Sequence, residues 1–181
     1  MRKVHIIQSL RDFRRYHKVV GILISFFIFI SALTGIFLAL KKQSDWIQPP
    51  TQKGATKELS NWLPIDSIAF LATQAFQAQH PSEGNVRIDR IDVRPSKGIA
   101  KVLLDQGWWE VQIDGQSGAV KSIARRHSDW IEALHDGSII SETFKLISMN
   151  LLGFGLLLMT ITGLWLWYGP KYFRKYKQKN P

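Results

Sequence analysis

The sequence predicts an α+β membrane protein in which two transmembrane helices flank a small extracytoplasmic domain, one helix packed on a three- or four-stranded antiparallel sheet. Three observations lead there. Two apolar runs, 19–40 and 146–168, are each long enough to cross a bilayer core, which takes about 20 residues. Lys and Arg crowd at the two chain ends, outside both runs. The polar stretch between the runs changes from helical spacing of apolar residues to the alternation of strands.

The bulk numbers hide this layout. The chain has 181 residues, a formal net charge of +10 and no cysteine. Without cysteine there is no disulfide framework, thiolate metal site or thiol nucleophile, so any metal would take His or carboxylate ligands. By segment, residues 1–42 carry +7, residues 43–142 carry −3 and residues 143–181 carry +6. The excess charge is therefore a topology signal and needs no nucleic-acid partner to explain it.

In chain order, residues 1–18 form a basic N-terminal segment with Arg2, Lys3, Arg11, Arg14, Arg15 and Lys18. The first span, 19–41, contains VVGILISFFIFISALTGIFLAL; its apolar run is longer than a signal-peptide core and lacks a small-x-small cleavage pattern. Residues 42–63 hold a Pro-Pro pair in polar sequence and read as a linker. A folded region, 64–126, follows, then a juxtamembrane amphipathic segment, 127–144. The second span, 145–169, has one amide, Asn150, expected to hydrogen-bond within a helix bundle. Residues 170–181 form a basic tail with Lys171, Arg174, Lys175, Lys177 and Lys179. Basic flanks on both outer sides place both termini in the cytoplasm of a bacterial inner membrane and the centre in the periplasm. Trp46, Trp165, Trp167, Tyr168 and Tyr172 suit headgroup depth. Gly21, Gly35, Gly153, Gly155 and Gly163 would let helices in the lipid bilayer approach closely.

Within the folded region, Ile68, Leu71, Ala72, Ala75 and Phe76 recur at helical spacing between Pro64 and Gln79, with Asp66 in the first turn and Pro81 beyond. Strands follow: Val86 to Val93, Ile99 to Leu104 after Lys97-Gly98, Trp108 to Ile113, and Val120 to Ala124 after the turn-rich Asp114 to Gly118. Because successive strand residues face opposite ways, one of Trp108 and Trp109 should be inside and the other exposed, either as a contact surface or as an ordinary surface aromatic.

The motifs Arg15-Tyr16-His17-Lys18 with Gly21, Leu33-Thr34-Gly35, Leu134-His135-Asp136-Gly137 and Thr160 to Trp167 (TITGLWLW) are carried by the spans and their edges. Together with Val111 to Gly115 and Ser117-Gly118-Ala119-Val120, where a typical member has Thr-Gly-Glu-Val, they resemble the PepSY-associated transmembrane family. The resemblance implies a PepSY-like domain between hydrophobic helices. It also implies kinship with inner-membrane haem-containing ferric-siderophore reductases, in which His17 and His135 fall where motif histidines bind haem b. On that basis the chain is expected to be a haem b electron-transfer subunit linked to ferric iron or siderophore reduction. It would complete its sites as a homodimer or in a larger membrane complex, and draw electrons from an external quinol or reductase.

The histidines also have plainer readings. Haem iron accepts neutral imidazoles, and a helix bundle can present them. His17, at one edge of the first span, and His127 and His135, at the far edge of the second, are about a bilayer thickness apart, roughly 30 Å, and cannot share an iron. His127 and His135, eight residues apart, are also too distant to share one. Equally, His17 can be another interfacial polar residue beside Arg14, Arg15 and Lys18, and His135 a helix-terminal one before Asp136-Gly137, which reads as a turn. His5 and His80 carry no pattern. No nucleophile and base stand at usable spacing, so a hydrolase is excluded. The competing expectation is a non-catalytic interaction module with Trp108 and Trp109 as its contact surface.

Overall fold

The structure, a computed structural model, describes residues 2–179, with side chains described for Gln8 and from Arg11 to Tyr172. His5 and the basic residues Arg2, Lys3, Arg174, Lys175, Lys177 and Lys179 lie outside the described side chains. The chain forms two compact units: Ile36–Glu132, and the described residues up to Gly35 together with those from Ala133 onward.

The helical unit is built from α1 (Arg2–Ala39) and α4 (Glu142–Lys179). At 38 residues each they extend about 57 Å, well beyond the hydrocarbon thickness. Their apolar portions, Arg11–Ala39 and Glu142–Tyr172, leave Ile22, Phe26 and Phe29 of α1 and Leu151, Phe154 and Leu157 of α4 uncovered by protein, as lipid-facing residues should be. The helices run antiparallel and interlock through reciprocal glycines. A Cβ on Gly155 would lie 2.9 Å from Ile24 Cγ2, and one on Gly21 would lie 3.0 Å from Met159 Cε. Such close approach substitutes for a hydrophobic driving force in lipid. Polar side chains return to their own helix: Ser25 Oγ donates to the Ile22 carbonyl (2.8 Å) and Thr160 Oγ1 to that of Leu156 (2.8 Å). Asn150 does the same, donating to the Leu146 carbonyl at 2.7 Å rather than to another helix, because its side chain is exposed on the outer side of α4.

In the domain unit, α2 (Ile65–Gln79) packs on a sheet of β1 (Ile88–Arg94), β2 (Ile99–Leu104), β3 (Trp109–Asp114) and β4 (Val120–Arg125), all antiparallel and in the order β1-β2-β3-β4. Ile68, Ala72 and Phe76 of α2 are buried against Ala100, Val102 and Leu104 of β2 and Val111 and Ile113 of β3. Leu71 and Ala75, expected on the same face, sit half-buried at its margin.

The other sheet face is also covered. It carries Ile99, Lys101 and Leu103 of β2 and Glu110, Gln112 and Asp114 of β3, all buried. Residues 42–63, read from composition as a linker, run along the domain and include a 3-10 helix, Leu59–Asn61; their 50–55 stretch forms a strap over this face. Gln52 N–H donates to Gln112 Oε1 (2.8 Å), Gly54 N–H to the Lys97 carbonyl (2.8 Å) and Ala55 N–H to Asp114 Oδ2 (2.9 Å). Gly54 crosses Gly98 so closely that a Cβ would overlap the Gly98 carbonyl, which accounts for glycine there. The chain leaves the domain through α3 (His127–Asp136), whose first residues join the same seam: Ser128 N–H donates to the Ile47 carbonyl at 2.7 Å.

The third strand begins one residue later than expected. Gly107 (φ 73°) and Trp108 (φ 59°) close the four-residue β2–β3 connection, 105–108, and both hold positive φ. Trp108 is thus exposed because it forms the turn, while Trp109 opens β3 and packs inward.

Candidate functional site

The helical unit places the two motif histidines in matching surroundings at opposite ends of the α1/α4 pair. His17 of α1 has Nδ1 2.7 Å from Thr162 Oγ1 of α4. His135, on the last turn of α3, has Nδ1 2.9 Å from Thr34 Oγ1 of α1. In each case the residue after the threonine is a glycine facing the ring. A Cβ on Gly163 would stand 3.4 Å from His17 Cε1, and one on Gly35 would stand 3.6 Å from His135 Cε1. A Thr-Gly pair on a spanning helix thus receives an imidazole from another helix twice, from α1 at Thr162-Gly163 and from α3 at Thr34-Gly35. His17 and Thr34 are seventeen positions apart on α1, about 26 Å of rise, so the two rings are separate sites.

The His135 end is further shaped by Ser31, whose Oγ donates to the His135 carbonyl (3.3 Å), and by Asp136. Asp136 does not serve the imidazole; it accepts from Ser138 N–H (2.9 Å) and pairs with Lys145 (2.8 Å), closing the turn at Gly137, whose φ is 85°. Beside His135 lies a mostly apolar cavity of about 160 Å³ lined by residues that include Phe26, Phe27, Ile30, Phe144 and Leu152. At the His17 end, Phe13 packs near Trp165, with ring centroids 6.3 Å apart.

His127 is held differently and within the domain unit. Its ring stacks on Trp46, centroids 4.6 Å apart and planes 19° apart, and its Nδ1 accepts Trp130 Nε1–H at 3.2 Å. Of the three candidate histidines, only His17 and His135 share the threonine-glycine setting. His80 belongs to a cluster under Trp109: its ring centroid is 4.4 Å from Trp109 and 4.9 Å from Phe76, while the Arg125 guanidinium lies over the indole at 4.9 Å.

The domain's other notable arrangement is ionic. Glu110 accepts from Lys101 Nζ (3.0 Å), Gln112 Nε2 (2.7 Å) and Arg126 Nη1 (3.1 Å); Arg126 Nε continues to Asp129 (2.7 Å), which Arg90 also binds (2.9 Å). The network ties β1, β2 and β3 to the start of α3, and every charge in it meets its opposite. Burial alone would push the Asp114 carboxyl up. The backbone N–H groups of Ser117, Gln116 and Ala55, with Lys121 beside it, outweigh that and hold it below the ordinary aspartate range.

For a haem, the donor set offers one imidazole at each end of the helix pair, the ligand type that iron porphyrins take axially. Each ring packs against its glycine and keeps one ring nitrogen beyond the threonine contact, so each imidazole could supply a single axial ligand. Among the described residues no cluster of three or more His, Asp or Glu could hold a bare metal ion. Sequence reasoning missed the threonine partners, since in sequence each is one more hydroxyl able to satisfy itself on its own helix or a neighbouring one. The available signal was the dipeptide Thr-Gly recurring in both spans, at 34–35 and 162–163.

A family model described as "PepSY-associated TM region" matches residues 14–180. No curated protein and no solved structure matches the chain.

Proposed function

The chain belongs to the PepSY-associated TM family, and on that premise we propose that it is a haem b-binding electron-transfer subunit that carries reducing equivalents across the inner membrane toward ferric iron or a ferric siderophore. The observation that supports this most is the repeated placement of an imidazole against a Thr-Gly pair at each end of the helix pair, His17 at Thr162-Gly163 and His135 at Thr34-Gly35. Each end offers one imidazole, so the second ligand at each would come from another copy of this chain or from a partner subunit. In this reading His17 and His135 hold the iron, while the lipid-facing apolar residues of α1 and α4 exclude water from the path. When bound, haem supplies a reversible one-electron carrier. The basic flanks support termini in the cytoplasm and a periplasmic domain, with electrons drawn from a quinol or a separate reductase.

Protein purified from haem-replete cells should be red, with a reduced-minus-oxidised spectrum of b type that His135→Ala abolishes or halves. A colourless preparation would remove the reading.

One observation favours a second reading, a membrane-anchored interaction module. Trp108 holds a bulky side chain at φ 59° and 44% exposure in a turn that glycine would enter without strain. Under this reading Trp108→Gly abolishes recovery of a partner complex without lowering stability, and the histidine replacements do not.

A further inference from the structure

The two histidine-threonine contacts carry more than proximity, because the threonine hydroxyls are already committed as donors. Thr34 Oγ1 lies 2.6 Å from the Ile30 carbonyl and 3.2 Å from that of Ser31. Thr162 Oγ1 lies 2.6 Å from the Leu158 carbonyl and 3.3 Å from that of Met159. A carbonyl oxygen only accepts, and a hydroxyl has one proton, so the shortest contact in each set fixes where that proton goes. Each hydroxyl oxygen then meets imidazole Nδ1, at 2.9 Å for His135 and 2.7 Å for His17, with only lone pairs to offer. Were the hydroxyl turned to the ring instead, a 2.6 Å oxygen-oxygen contact would be left without a hydrogen between the atoms.

We infer that Thr34 and Thr162 are positioning residues that hold the proton of His135 and of His17 on Nδ1, so that Nε2 is the nitrogen each ring presents to a ligand. The inference deepens the haem reading and rests on it for the identity of the ligand, but the tautomers themselves follow from the hydrogen bonds alone. Threonine is suited to the task in a lipid-embedded helix. Its hydroxyl is anchored by the turn below, so it cannot rotate to donate to the ring, and it brings no charge into the bilayer. The glycine that follows lets the Cε1 edge of the ring approach the helix, and both ends use the same two-residue device.

His127 supplies a control within the same chain. Trp130 Nε1–H can only donate, so His127 Nδ1 is the acceptor at 3.2 Å and its neutral ring carries the proton on Nε2, opposite to His17 and His135.

The test is nitrogen NMR of the full chain, labelled with ¹⁵N at its histidine rings, purified in detergent from haem-deficient cells and measured where the rings are neutral; each histidine is assigned by its own Gln replacement. The expected spectrum has a pyrrole-type Nδ1 and a pyridine-type Nε2 for His17 and His135, and the reverse for His127. Thr34→Val should move only His135 away from that form and Thr162→Val only His17, while Thr→Ser at either site should preserve it. A pyridine-type Nδ1 at His17 or His135 in the native chain, or indifference to the valine changes, overturns the inference. In the haem-loaded chain, Thr34→Val should weaken the imidazole as a donor and shift the reduction potential upward, with Thr34→Ser close to native. The two ideas fail separately: the expected tautomers in a chain that takes up no haem would sustain this inference and sink the haem reading. A haem-loaded chain with Nδ1 unprotonated would do the opposite.

Discussion

Lys101 Nζ meets Glu110 Oε1 at 3.0 Å between adjacent strands, with 2% and 0% of the two side chains exposed. Glu110 is the hub of this contact, since Gln112 and Arg126 converge on the same carboxylate. Removing a buried partner strands the charges left behind, so Glu110→Ala should cost about 3–5 kcal/mol of domain stability. Lys101→Met should cost less, because Glu110 keeps Arg126 and Gln112. Urea unfolding followed by tryptophan fluorescence in detergent measures both, and a larger loss for the lysine change would contradict the assignment of the hub.

Asp114 gives the domain a pH dependence of defined sign. Its carboxyl is held below its ordinary range in the folded state by the surrounding N–H groups and Lys121. The unfolded chain therefore binds the proton first as pH falls. The stabilisation is complete above the unfolded-state value, about 4, and is lost as pH drops through the lower folded value. Asp114→Asn should flatten the acid limb of the stability curve relative to the native chain, measured by thermal unfolding between neutral and acidic pH. An unchanged acid limb would refute the assignment.

The helix pair makes a prediction through two glycines separated by one residue. A Cβ on Gly155 would press on Ile24 at 2.9 Å, whereas one on Gly153 meets nothing within 4 Å. Gly155→Leu should lower the thermal stability of the detergent-solubilised protein, while Gly153→Leu should leave it near native. Equal effects would mean that the helices do not pack on the Gly155 side.

Trp108 occupies a left-handed position that costs a bulky residue about 1–2 kcal/mol. Trp108→Gly should therefore stabilise the domain by about 1 kcal/mol, read as a raised urea midpoint. A destabilised variant would show that the indole makes contacts that outweigh its backbone strain.

The absence of cysteine makes orientation directly measurable. A single cysteine in place of Gln79, exposed at the end of α2, should react with a membrane-impermeant maleimide on intact spheroplasts, and one in place of Gln8 only after permeabilisation. The reverse pattern would invert the topology.

How much of this was legible beforehand depended on whether a pattern was local. The spans, the amphipathic helix and the four strands each declare themselves in a run of neighbouring residues, and Ile68, Ala72 and Phe76 were identifiable as core from spacing alone. The second buried sheet face was not. Lys101, Glu110, Gln112 and Asp114 alternate with apolar residues just as a solvated face would, and only the strap at Gln52–Ala55 and Arg126, distant in sequence, convert them into interior residues. The same limit applies to the histidines. His17 and His135 were visible as motif members, but their partners lie 145 and 101 residues away, and no periodicity links an imidazole to a hydroxyl on another helix. The start of β3 was misplaced by one position because a Gly-Trp pair is an unusual occupant of a positive-φ turn, where Asn-Gly would have announced the boundary.

The hydrogen bond from Ser128 N–H to the Ile47 carbonyl joins the point where the chain enters the domain to the point where it departs. A module whose doorway and exit adjoin has the form of a cassette, its two ends held together by that bond and by the stacking of Trp46 on His127. Membrane proteins with very different bulk between their two spans could thus share this kind of connection.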